Sequence, residues 1–160
     1  MSDHTVFLPT YKGCFICGEP DHNPNTLNVR FRVTDEGVEV PVTTTYRQAG
    51  YEGIVHGGVI TALLDETIGW AVAVETKRYF MTGELNVRFV RPLPVDLDIT
   101  VRGRFTEAKS RYATGEGEIV DGEGTVYAKA SGKFFPMPAE RAEAVKEYLT
   151  FRDGDLDILL

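Results

Sequence analysis

The sequence predicts an α+β domain in which a curved antiparallel sheet wraps one long central helix. Three observations carry that reading. Positions 58–76 place apolar residues on nearly every face of a helix, among them Val59, Leu63, Leu64, Ile68, Trp70 and Val72; a helix of this kind sits inside something. A hairpin pattern precedes it, and four strand patterns follow it. One all-apolar helix and one sheet must bury each other. Five or six strands cover only part of such a helix, so another surface, from a second copy, is expected to cover the rest.

The elements can be justified in order. Asp21 to Asn25 reads as a turn, and Leu27 to Val33 alternates apolar and polar like a half-buried strand. Asp35-Glu-Gly37 is a hairpin turn, with Val38 to Tyr46 as the return strand. A glycine-bearing loop, Ala49 to Gly53, leads through Ile54-Val-His-Gly-Gly58 into the long helix, Gly58 to Thr76. Strands are then expected over Thr82 to Val90, Asp98 to Ala108, Arg111 to Val120 and Thr125 to Phe135. Asp121-Gly-Glu-Gly124 joins the last two by a tight turn. Ala139 to Thr150 reads as a short amphipathic helix, and the acidic tail beyond it as mobile or docked on a neighbour. The expected organisation is one domain over 1–160, with its core at about 14–138, the short helix at about 139–150 and the tail at 151–160.

Composition narrows the function. The chain has 160 residues and a net charge of −7, which argues against nucleic acid as the main partner, because phosphate binding runs on clustered Lys and Arg. The apolar stretch within Val59 to Val74 is broken by Thr61, Asp65, Glu66 and Thr67, so a buried helix is expected and no membrane association. Met1 to Thr10 lacks a basic start followed by an apolar run. Two cysteines are too few for a disulfide framework. The expectation is a soluble cytoplasmic protein with reduced thiols.

His56-Gly57-Gly58 followed by Asp65, nine positions after His56, is the segment richest in chemistry. It resembles the glycine-to-acid segment of hotdog-fold acyl-CoA thioesterases, particularly the PaaI-like branch. Cys14-Phe-Ile-Cys17-Gly18, Thr82 to Phe89 followed by Arg91-Pro92, and Ala128 to Phe134 look like the same branch, so the likeness spans roughly Cys14 to Pro138. The resemblance implies the hotdog fold and an activity that hydrolyses acyl-CoA thioesters. It also implies homodimers with active sites at the interface, pairing into tetramers, and no cofactor beyond the CoA of the substrate.

The residues support that reading on physical grounds. A carboxylate among Leu63, Leu64 and Ile68 is expensive to bury without a partner, which marks Asp65 as base or nucleophile. Backbone N–H groups of Gly57 and Gly58 open the helix, where N–H groups lack intrahelical partners, and would hold the thioester oxygen. Asp65 lies about 10 Å along the axis from Gly58 at 1.5 Å per residue, whereas one carbonyl with its two contacts spans roughly 6 Å. Two antiparallel copies of the helix would bring Gly58 of one subunit to Asp65 of the other. His56 orients the loop or polarises the carbonyl; Thr82, where the family has a hydroxyl-bearing strand residue, would hold water near Asp65. Glu66 points about 100° away from Asp65 and reads as structural or as an interface residue, with assistance to Asp65 the lesser alternative.

Among binding residues, Gln48 is the nearest amide to Gly50, the position at which better-known members carry an amide side chain. Tyr51, and also Trp70, Tyr79 and Phe80, are candidates for the acyl pocket. Arg88 and Arg91, with Arg102, Arg104 and Arg111, are candidates for CoA phosphate contacts. Cys14-x-x-Cys17, with His22 and His4, is half of a zinc pattern without its second half; it reads as a buried reduced pair with no metal. Two other functions fit the residues less well. One is a hotdog dehydratase or hydratase using His56 and an acid; the other is a non-catalytic acyl-CoA-binding module.

Overall fold

A computed structural model describes residues 5–159. Eight strands and two helices follow in chain order. They are β1 (Thr10–Tyr11), β2 (Arg32–Thr34), β3 (Gly37–Thr43), α1 (Gly57–Thr76), β4 (Phe80–Phe89), β5 (Asp98–Ala108), β6 (Ala113–Asp121), β7 (Val126–Pro136), α2 (Ala139–Glu147) and β8 (Leu149–Thr150). Six strands form one antiparallel sheet in the order β2-β3-β5-β6-β7-β4. Helix α1 lies across it and packs on β3, β4, β5, β6 and β7. By length and composition α1 could cross a membrane, with mean hydropathy 1.3; its side chains instead form the core, with Leu64, Ile68 and Val72 wholly enclosed.

Close approach of helix to sheet depends on glycine at two registers. A Cβ on Gly103 of β5 would lie 2.6 Å from the Thr67 carbonyl oxygen, and one on Gly115 of β6 would lie 2.7 Å from Ile68 Cγ2. No side chain fits there without moving the helix.

Three expectations change. Residues 27–31 lie outside the sheet, and Asn28 takes φ +52°, a left-handed conformation no strand residue adopts. Leu27 and Val29 donate N–H groups to the carbonyls of Phe15 and Ile16, and Leu8 donates to Phe31. The alternation is therefore satisfied by the N-terminal segment instead of by strand pairing. Helix α2 ends at Glu147, and Leu149–Thr150 pairs with Thr10–Tyr11. The tail is fixed on its own chain: Ile158 is buried, Asp155 pairs with Arg30, and Lys146 pairs with Asp157 at 2.7 Å. Asp121 shapes the β6–β7 turn as expected, accepting from the N–H groups of Glu123 and Thr125, both at 2.9 Å.

Candidate active site

Helix α1 begins where the sequence places it because His56 is extended (φ −61°, ψ 134°) and caps the first turn. Its Nδ1 accepts the Gly58 N–H at 2.8 Å. That bond fixes the imidazole and occupies the Gly58 donor, so the expectation that both glycines offer N–H groups is corrected. Gly57 is the first helical residue, and its N–H has no acceptor among the described residues. The His56 N–H donates to the Gln48 carbonyl at 2.7 Å. The role of Gln48 therefore differs from the expected one: its side-chain oxygen accepts from Thr45 N–H and Oγ1, at 2.7 and 2.9 Å, in the cap of a short 3-10 turn. Gly50 packs against His56, where a Cβ would come within 3.1 Å. A side chain at position 50 would therefore have to shift His56 by a few tenths of an ångström.

Asp65 lies two turns along α1, half-buried. Thr82 Oγ1 donates to Asp65 Oδ1 at 2.7 Å. The two meet because β4 is irregular. Its register shifts between Thr82 and Glu84, beside Gly83. Leu85 and Val87 pack on the core from odd-numbered positions; without the shift, Thr82 would point away from the helix. The bulge is the feature that sequence reasoning missed, and a glycine inside a strand pattern was its signal. Replacing Thr82 by valine should leave the fold intact and lower kcat about 10- to 100-fold, the worth of a hydrogen bond to a charged group. Thr82→Ser should recover most of it in the same steady-state assay.

A cavity of about 490 Å³ opens beside this pair. Asp65 and Thr82 supply its polar edge; Trp70, Phe80, Met81 and Phe134 line its apolar part. Tyr79 also lines it, and its buried hydroxyl has no partner among the described residues. Burial pushes the Tyr79 hydroxyl up to about 12. Trp70, Tyr79 and Phe80 line this cavity, with Trp70 also part of the core, whereas Tyr51 does not: it is 87% exposed on the loop before His56. Arg88 and Arg91 are exposed, with no carboxylate partner among the described residues. Arg102 pairs with Glu39 and Glu118, and Arg104 with Glu116, which leaves these two poorly available for phosphate.

Glu66 is not a passive neighbour of Asp65. Cys14 Sγ lies 3.3 and 3.1 Å from its two carboxylate oxygens, and the Cys17 thiol donates to Oε1 at 3.1 Å. Burial, then the charge on Cys14, pushes Glu66 up to about 8. The hydrogen bond from Cys17 and N–H groups of Cys17 and Ile16 lower Cys14 to about 5. Its bond to Cys14, then burial, raises Cys17. The first two shifts act oppositely on stability. A raised carboxyl pKa means the folded chain keeps a proton the unfolded chain has released, so stability falls as pH rises from the ordinary 4.5 toward 8. The lowered Cys14 pKa adds stability as pH rises over an overlapping range. Removing Cys14 abolishes the second effect and leaves the part of the first that burial supplies. The urea midpoint of Cys14→Ala, in chelator, should fall between about pH 5.5 and about pH 7.5 by more than that of the parent chain.

A helix enclosed by a curved antiparallel sheet, with a carboxylate–hydroxyl pair on its flank and a free N–H at its start, defines the hotdog class. Residues 52–128 match the model of the thioesterase superfamily. The chain is 30% identical over 99 residues to a Saccharolobus solfataricus protein provisionally named an esterase, covering 61% of this chain and 69% of that protein. It is 27% identical over 95 residues to the acyl-coenzyme A thioesterase THEM4 of Bos taurus, covering 58% of this chain but only 38% of that one. Among solved structures, a thioesterase superfamily protein aligns with TM-score 0.70 and 30% identity, over 78% of this chain and 63% of that one. A Streptococcus pneumoniae thioesterase-like protein solved with coenzyme A aligns with TM-score 0.63 and 21% identity, over 69% of this chain and 86% of that one. The chain belongs to the thioesterase superfamily.

Proposed function

We propose that the protein hydrolyses acyl-CoA thioesters to free acid and CoA, at two equivalent sites shared by a homodimer. The observation that carries this is the Thr82–Asp65 hydrogen bond at the edge of an apolar cavity. Thr82 holds one carboxylate oxygen, which orients the other toward an incoming water or the thioester carbon. As a base, Asp65 takes a proton from water as the oxygen adds to the carbonyl; as a nucleophile, it forms an anhydride that water then opens. In both routes the C–S bond breaks and the CoA sulfur leaves with the electron pair and is protonated. The carbonyl oxygen gains charge meanwhile and needs fixed donors.

Gly57 N–H is such a donor, but it lies eight residues before Asp65 on the same straight helix, about 12 Å away at 1.5 Å per residue. The edge strand supports the solution. Strand β4 has ten residues and, among the described residues, pairs only with β7 and leaves its other edge open. Such an edge calls for a partner. Near one end Thr82 reaches Asp65; at the other, the Phe89 ring lies 3.4 Å from where Gly57 would carry a Cβ. Antiparallel pairing of two β4 strands about Asn86, with Gly83 as the extra residue of the bulge, sets Thr82 opposite the partner strand's position 89. Gly57 of one copy then approaches Asp65 of the other. Phe89, 54% exposed, would be covered by the same pairing, and the exposed Tyr51 would reach the other copy's cavity. Pairing of two such dimers into a tetramer belongs to the same proposal.

The CoA reading draws on the bovine relative's name and on the coenzyme A in the streptococcal structure. Arg88 and Arg91, exposed and without a carboxylate partner among the described residues, would meet its phosphates. KM for acyl-CoA should rise with added salt, and the rise should be smaller in Arg88→Ala or Arg91→Ala. The proposal is tested by following thiol release from short, long and aromatic acyl-CoAs. Turnover of at least one series is expected. Tight binding of CoA esters without thiol release would contradict hydrolysis and leave a binding module.

A further inference from the structure

We infer that Cys14, Cys17 and Glu66 form a binding site for one soft divalent cation of the zinc class. Three potential anionic ligands converge there, and their ligand atoms all lie within 4.8 Å of one another. The sulfur-to-oxygen separations of 3.1–3.3 Å approach the roughly 3.5 Å edge of a zinc tetrahedron with Zn–S near 2.3 Å and Zn–O near 2.0 Å. No Lys, Arg or His pairs with Glu66 among the described residues. A partly buried carboxylate facing two thiols is therefore a cluster without a cation.

The backbone is built to present sulfur as an acceptor. N–H groups of Ile16 and Cys17 point at Cys14 Sγ at 3.3 and 3.4 Å, and Tyr11 N–H points at Cys17 Sγ at 3.5 Å. Such donors stabilise metal-bound thiolates and fix their direction. The turn needs its glycine: Gly18 N–H donates to the Cys14 carbonyl at 2.9 Å, and a Cβ on Gly18 would run into that oxygen. Leu27 and Val29 pin the outer side of the loop through the carbonyls of Phe15 and Ile16.

The third ligand is 49 residues from Cys17 in sequence and comes from the central helix. This is why the cysteine pair looked incomplete. Of the histidines considered for it, His22 faces Glu19 at 3.6 Å, and His4 lies outside the described residues. A bound cation would displace the protons the cluster holds, clamp Tyr11–Gly18 onto α1, and leave its fourth position open. Cys14 and Glu66 both line the cavity that holds Asp65, so that position faces the same cavity and is filled by water or a small donor from it.

The test needs no activity. Purified chain should carry about one zinc per molecule by elemental analysis, released on mercurial treatment of the thiols. Metal-free chain titrated with Co²⁺ alone should develop thiolate-to-cobalt charge-transfer absorption. Cys14→Ser and Cys17→Ser should lose that absorption, Glu66→Gln should bind cobalt at least about tenfold more weakly, and His22→Ala should match the parent. The parent chain decides the matter if the serine variants do not fold. Folded, metal-free parent chain giving no charge-transfer absorption with Co²⁺ would overturn the inference. So would an unchanged cobalt spectrum in Glu66→Gln together with its loss in His22→Ala.

Discussion

Asp65→Asn should lower kcat for acyl-CoA hydrolysis by about 10³-fold or more while leaving KM within a few-fold of the parent value. The range follows from what a positioned base contributes, about 10²–10⁴-fold, and the loss is larger if the carboxylate is a nucleophile. The amide keeps the size of the carboxylate. Its oxygen still accepts from Thr82, which donates at 2.7 Å in the parent chain, so the cavity and helix should stay in place. What changes is the second oxygen, which becomes an NH₂ unable to take a proton or attack a carbon. Thiol release under saturating acyl-CoA, with near-parental thermal stability, is the measurement. A loss of less than about tenfold would remove Asp65 from the chemistry, since any single hydrogen-bonding role is worth that much.

Gly57→Pro should lower kcat by about 10²–10³-fold, the cost of deleting one oxyanion donor. The substitution removes one N–H and little else. Proline is tolerated at the first helical position, where the N–H has no intrahelical partner. It also needs an extended residue before it, and His56 already has φ −61° and ψ 134°. The ring would meet Phe89, whose ring carbons lie 3.4 Å from the site of a Cβ, at ordinary contact distance. Gly57→Ala, which keeps the N–H, is the control for crowding and should retain most activity. Equal losses in the two variants would show that space, not the donor, matters at this position. Gly58→Pro makes a less specific probe, because the Gly58 N–H is held by His56 Nδ1 at 2.8 Å.

Elements with strong patterning were legible in the sequence. The all-apolar run gave α1 to within a residue, and the alternation of 98–108 gave β5 without error. Thr82 was expected to hold water near Asp65; the structure instead bonds its hydroxyl directly to the carboxylate. What was not legible depends on contacts distant in sequence. Residues 27–31 alternate like a strand, yet their donors go to residues 15 and 16. Two-residue strands such as β1 and β8 have no period to read. Gln48 looked like a substitute for a missing active-site amide because its capping partner, Thr45, is visible only once the 3-10 turn forms. Glu66 looked structural from its angle on the helix alone. Its partners come from a loop near the other end of the chain, and no local pattern announces them.

The shared site is the centre of the account, and complementation tests it most directly. Asp65→Asn and Gly57→Pro chains, co-expressed with different tags and purified through both, give dimers holding one of each. Each such dimer has one site with an intact Gly57 and an intact Asp65, drawn from different chains, and one site lacking both. Activity of about half the parent dimer's is expected, although each variant alone is nearly inactive. Mixed dimers no more active than the variants alone would contradict a site built from two chains.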